Sequence, residues 1–204
     1  MNDKLKENNG VCVEGHIKIY DPKTNEIFVN KRNAIHYENM SIALAQSLSN
    51  SGNGFIYSMA FGNGGTSVDP TGIITYLTPN STGTNASLYN ETFEKVVDDR
   101  SVNNIDAFRN KTEVRHVSGT NYTDVLVSCL LDYGEPVGQD AFDTASTTDS
   151  LYVFDELGLK SWNTDNNMML ITHVIFHPVQ KSLNRLIQID YTVRVQSLSG
   201  IAGE

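Results

Sequence analysis

Residues 153–195 read VFDELGLKSWNTDNNMMLITHVIFHPVQKSLNRLIQIDYTVRV. Three apolar segments are separated here by two polar turns, NTDNN and KSLNR. The last segment places Leu186, Ile187, Ile189, Tyr191, Val193 and Val195 mostly at period two, the alternation of a half-buried strand. The middle segment is rich in β-branched residues and carries Pro178, and the first has the same extended character. The reading is strand, turn, strand, turn, strand, and a sheet is the fold it predicts.

The same stretch holds the most suggestive polar groups of the chain. His173 and His177 stand at i and i+4, which on a helix would suit a zinc ion. On a strand, a rise of ~3.3 Å per residue sets two rings on one face about 13 Å apart. Metal–ligand bonds of ~2 Å cannot span that gap, so no metal site is expected. Asp155 and Glu156 are neighbours on a strand and should point to opposite faces. They are therefore not a paired acid and base. The expectation is that one fixes a corner of the sheet or faces a neighbour while the other is solvated. Gly158 allows a close backbone approach.

Outward from this block the strand pattern continues. VCVEGHIKIYDPKTNEIFVN (residues 11–30) reads as a hairpin, with DPKTNE as its turn. NAIHYENMSIALAQSLSNSG (33–52) changes period: Met40, Ala43, Leu44 and Leu48 form the stripe of an amphipathic helix, with Gly52 as its stop. FIYSMAF, TGIITYL and LYNETFEKVV read as strands. DDRSVNNIDAFRN (98–110) is a polar loop. KTEVRHVS and YTDVLVSCLLDYG, separated by GTN, form a second hairpin. Residues 134–150 are a loop with a helical turn around QDAF. The fold predicted is all-β: an antiparallel β-sandwich with an N-terminal β-hairpin and one amphipathic α-helix. The division expected is a flexible tail over 1–10, a hairpin–helix extension over 11–52 and the sandwich domain over 53–204.

Composition narrows the function. With 15 basic against 24 acidic residues and a net charge of −9, the chain lacks the clustered Lys and Arg of a nucleic-acid or anionic-membrane surface. Eight acidic residues and one Lys lie between Asp132 and Asp165. They read as solvated loops, with a basic partner surface as the alternative. The two cysteines, Cys12 and Cys129, sit in apolar strand contexts and read as reduced thiols rather than a disulfide framework. The polar N-terminus MNDKLKENNG has no apolar signal core. Six Asn-x-Ser/Thr sequons then reflect Asn-rich loops, and a soluble protein made in the cytosol is expected.

No catalytic pattern emerges. GNGGT at 62–66 lacks the Lys and the spacing of a phosphate loop, and its glycines are expected to supply positive φ in a tight turn. There is no nucleophile elbow, no Cys-x-x-Cys and no calcium-loop spacing. Trp162 and the nine tyrosines could line a sugar-binding face, but in a sandwich they more often pack core and edges.

The segment FDELGLKSWNTDNNMMLITHVIFHPVQKSLNRLIQIDYTVRV resembles a block found in tailed-phage virion structural proteins of the tail, baseplate, collar and fibre-attachment type. The matching features are Glu156-Leu157-Gly158-Leu159, Pro178 with Lys181, and the closing strand from Leu186 to Val195. MAFGNGGTSVDPTG is similar to the glycine-rich loop such proteins carry upstream, and residues 15–48 resemble their opening. The resemblance implies a non-enzymatic virion component without a cofactor, assembled in the host bacterial cytoplasm. It would work as a cyclic homo-oligomer that contacts other virion proteins as a tail, collar or baseplate adaptor, with no nucleic-acid or membrane partner. Met40, Leu44, Leu48, Asp155 and Glu156 are the candidate interaction residues. A capsid decoration protein and a carbohydrate- or receptor-binding module are the alternatives.

Overall fold

The computed structural model describes residues 10–83, 86–136, 151–163 and 168–198. The expected tail (1–10) apart from Gly10, which begins the first strand, most of the 134–150 loop with its helical turn, residues 84–85, most of the NTDNN turn (164–167) and residues 199–204 lie outside these.

Two antiparallel sheets face each other. The first is built, in spatial order, from β2 (Ile27–Arg32), β1 (Gly10–Tyr20), β13 (Ile187–Leu198), β9 (Tyr122–Leu131) and β8 (Lys111–His116). The second runs β3 (Ala34–Ile35), β12 (Thr172–Ser182), β10 (Leu151–Ser161), β4 (Ile56–Gly62) and β7 (Glu91–Val96), with β11 (Met169–Leu170) paired to β10. A small hairpin, β5 (Thr66–Val68) and β6 (Ile74–Tyr76), lies between β4 and β7 in the chain. The all-β sandwich with a single helix predicted from the sequence is the fold observed.

The core lies between the sheets. Ile17, Ile19, Val127, Cys129, Leu131, Ile189 and Tyr191 from the first sheet meet Met59, Phe61, Phe154, Leu159, Val174 and Phe176 from the second. Phe154 sits edge-on to both Phe61 and Phe176. The outer face of the first sheet is polar, and one register row there, Glu14–Arg194–Asp124–Arg115, alternates in charge across four strands. Arg194 holds Asp124 with two nitrogens at 2.7 and 2.8 Å. Opposite charges placed directly across strands help set register.

The helix α1 (Tyr37–Leu48) closes one end of the sandwich. His36 caps it: its Nδ1 accepts from the Asn39 backbone N–H at 3.2 Å. Asn39 in turn donates to the Leu170 carbonyl at 2.8 Å, tying the helix to β11. Met40 and Ala43 enter the main core and Leu44 packs partly against it, whereas Leu48 is 88% exposed and outside the stripe. The helix stops earlier than Gly52, because Asn50 already takes a left-handed conformation with φ 52°. Asparagine tolerates that region better than other residues with a Cβ.

The division at residue 52 does not hold. β1 is not the start of an appended hairpin. It pairs with β13 over eleven residues, from Gly10–Leu198 to Tyr20–Gln188, and β2 pairs on its other side. Its inward Ile17 and Ile19, and Met40 and Ala43 of α1, belong to the same core as residues 57–193, so the hairpin, the helix and the sandwich form one unit.

Candidate functional site: a buried carboxylate clamp and an exposed apolar loop

β10 breaks its own alternation. Tyr152 and Phe154 point into the core, and so do Leu157 and Leu159. The parity switches across Asp155, where the register against β12 jumps from Phe154–Val179 to Glu156–Ile175. Such an irregularity re-aims side chains. Asp155 and Glu156 therefore share the outer side of the sheet, contrary to the opposite faces expected of neighbours on a regular strand. Neither is solvated: both are buried.

Both carboxylates hold the glycine-rich loop after β4. Asp155 accepts from the backbone N–H of Gly65 and of Thr66, each at 2.9 Å, and from the Thr66 hydroxyl. Glu156 accepts from the N–H of Gly64 at 3.0 Å, of Tyr89 at 2.9 Å and of Asn90 at 2.8 Å. The stretch between β4 and β7 thereby folds over the outer face of the second sheet. Gly62, Gly64 and Gly65 are glycines because of this closeness, not because of positive φ. A Cβ on Gly62 would lie 2.4 Å from the Asn90 carbonyl oxygen, and one on Gly64 2.7 Å from the Asn90 nitrogen.

The two histidines part company. His173 is fully buried, with Nε2 at 3.0 Å from Glu156 Oε2, and its Nδ1 accepts from the Asn80 N–H at 2.8 Å. His177 is exposed and meets the Tyr76 hydroxyl at 3.3 Å. Both lie on the outer side of the second sheet, because the inward residues of β12 are Val174, Phe176 and Val179, but one is sealed under the stretch between β4 and β7 and the other is open to solvent. Among the described residues no three His, Cys, Asp or Glu side chains come together as a metal-ligand set.

The electrostatics follow the geometry. Burial pushes the Glu156 carboxyl up, but His173 and the three N–H donors outweigh it and hold the group below the usual carboxylate range. For Asp155 burial wins over its Thr66 and Gly65 hydrogen bonds, the Glu156 charge adds to it, and the group sits above its ordinary value. The clamp thus fixes two loops at the cost of burying two carboxylates side by side. Its groups are turned towards the protein's own loops.

Trp162 stacks on Phe55, with centroids 6.3 Å apart and planes 11° from parallel, and packs against Tyr57 at 4.7 Å. It belongs to the packing at the ends of β4 and β10.

The outward-facing chemistry lies elsewhere and was missed in the sequence. The segment from β7 to β8, read as polar loop, leaves Val102 97%, Ile105 91% and Phe108 86% exposed. It is nonetheless well braced. Asn104 donates to the Asp98 and Asn110 carbonyls at 3.1 and 2.8 Å, Asn103 donates to the Tyr57 hydroxyl at 3.1 Å, and Arg109 pairs with Asp106 and Asp132. An ordered loop that presents three large apolar side chains to water is the kind of patch that marks a contact site. A second apolar feature is a groove of about 390 Å³ between α1 and the ends of β1 and β13, where Met40 and Leu44 of the candidate set lie beside Val11, Tyr37 and Leu198. Leu48 is outside it, and Asp155 and Glu156 are covered by the stretch between β4 and β7.

No protein-family model matches the chain, and no curated protein or solved structure is significantly similar to it.

Proposed function

We propose that the chain is a non-enzymatic structural component of a tailed phage particle. It would act as a tail, collar or baseplate adaptor that joins copies of itself and neighbouring virion proteins. The observation that carries this reading is the braced loop with Val102, Ile105 and Phe108 turned to solvent. The buried side chains of Glu156 and His173 are spent on internal loop fixation. The loop and the groove beside α1 present apolar side chains to solvent, which suits protein contact. The resemblance of residues 153–195 to virion building blocks supplies the class of particle.

Mass spectrometry of gradient-purified particles, made by a phage encoding this chain, tests the reading. Stoichiometric recovery of the protein with the particle is the expected result, and its absence from particles would end the proposal. Immunogold labelling of the same particles separates tail, collar and baseplate from a capsid decoration role. A glycan array separates the receptor-binding alternative.

A further inference from the structure

We infer that copies of this chain associate head to tail, the 98–109 loop of one copy seating its Val102, Ile105 and Phe108 in the apolar groove beside α1 of the next. The inference rests on the self-assembly part of the proposed function and not on the particle to which the chain belongs.

The two surfaces are built from different parts of the sandwich. The loop joins β7 to β8, the terminal strands of the two sheets on one side. The groove is lined from β1, β13, β3 and α1. Val102, Ile105 and Phe108 are spaced by three through successive tight turns, closed by Asn104 N–H to Ser101 and Arg109 N–H to Asp106. All three side chains are left open to solvent by these turns. The groove lining contains no charged residue, so an apolar insert leaves no charge buried and unpaired.

The surface involved suits a weak contact that is reinforced when it repeats around a ring. Burying a large aliphatic or aromatic side chain removes roughly 60–120 Å² of apolar area from water. Scaled by their exposure, Val102, Ile105 and Phe108 with Val11, Tyr37, Leu44 and Leu198 supply on the order of 450 Å² between them. The smallest stable interfaces bury ~1,200 Å², a little over half of it apolar. A loop-to-loop dimer would leave the groove open, whereas a heterologous contact covers both surfaces on every copy once it closes into a ring.

The chain carries its own probe. Cys12 lines the groove and is partly exposed, while Cys129 is buried. Val102→Cys and Ile105→Cys, each made singly in the full chain, are to be oxidised with diamide and run on non-reducing gels. The expected result is a ladder of dimers and higher species, with peptide mapping that links position 102 or 105 to position 12, and loss of the ladder when Cys12→Ser is added. Phe108→Ser should weaken self-association at least ~10-fold by sedimentation, in line with loss of a central aromatic anchor. Crosslinks that survive Cys12→Ser would show the loop meeting itself and would overturn the inference. So would a link within one chain, or a monomer at all concentrations with no ladder. Detection of the protein in particles is a separate readout: monomeric behaviour with virion recovery defeats the head-to-tail contact alone, and a ladder without virion recovery defeats the particle assignment alone.

Discussion

His173 Nε2 lies 3.0 Å from Glu156 Oε2 with both side chains fully buried, and the Asn80 backbone N–H reaches the other ring nitrogen at 2.8 Å. Because Nδ1 accepts from Asn80, the ring proton in this arrangement sits on Nε2 and is donated to the carboxylate. One imidazole thus links the loop around residue 80 to β10, and Glu156 links β10 to Gly64, Tyr89 and Asn90.

Removing the centre of that linkage should be costly. Glu156→Ala leaves His173 and three backbone N–H groups without their acceptor, and a loss of about 3–5 kcal/mol is expected, as for other broken buried pairs. Urea unfolding checks the size. Hydrogen exchange should show Gly64, Tyr89 and Asn90 losing protection while the first sheet is unaffected.

Glu156 also predicts a pH dependence. Its folded-state value is depressed, so its contribution is fully present above the ordinary glutamate value, ~4.3, and is lost as pH falls through the lower folded value. The gap in Tm between wild type and Glu156→Gln should therefore stay constant from pH 7 to about 5 and narrow only below ~4.3. Asp155 is raised and works in the opposite sense: the gap to Asp155→Asn should be smaller at pH 7 than at pH 4. Thermal melts across this range decide both signs.

Lys181 is a buried cation with its Nζ donating to the Ser182 carbonyl at 2.8 Å. Burial pushes it down to about 8, against the smaller pull of Glu135 and Asp132. The unfolded chain holds its proton up to ~10.4, so stability should rise as pH climbs from about 8 towards that value. Lys181→Met should flatten this rise and stabilise the protein at pH 7 by about 1–3 kcal/mol, measured by urea midpoint.

Gly158 tests the close packing of β10. A Cβ there would sit 2.5 Å from the Thr172 carbonyl oxygen and 2.4 Å from Leu170 Cδ1. The carbonyl belongs to backbone and cannot rotate away, so Gly158→Ala should cost about 1–3 kcal/mol despite its small size. Calorimetry measures it, with Gly72→Ala as a contrast in which strain comes from φ +86° alone and the space around the added methyl is open.

Much of the fold was legible because it rests on periodicity. The alternation in residues 186–195, the two hairpins and the stripe at Met40, Ala43 and Leu44 each announce which side faces the core. The switches of parity at Asp155 and at Phe176–Pro178 were not legible, since an irregular residue leaves no compositional trace. Pro178 was the one available hint, because proline inside a strand run marks such places. β3 and β5 are too short to show a period. His36 is not among the usual capping residues, so the helix start carried no standard sign. The apolar loop escaped notice because Val102, Ile105 and Phe108 are each surrounded by Asp, Asn and Arg. A period of three among polar residues reads as a turn until the exposure is seen.

The position of β13 has a kinetic consequence. It lies between β1 and β9 in the first sheet, and it is the last of the strands in chain order. Gly10 pairs with Leu198, so the earliest strand waits for the latest one. Until β13 emerges from the ribosome, β1 and β9 expose facing edges that invite pairing with other chains. Sandwiches dominated by such distant pairings fold over milliseconds to seconds. Closure of the sheet therefore comes late in the order of synthesis, and a chain that loses β13 forfeits both halves of the sheet at once.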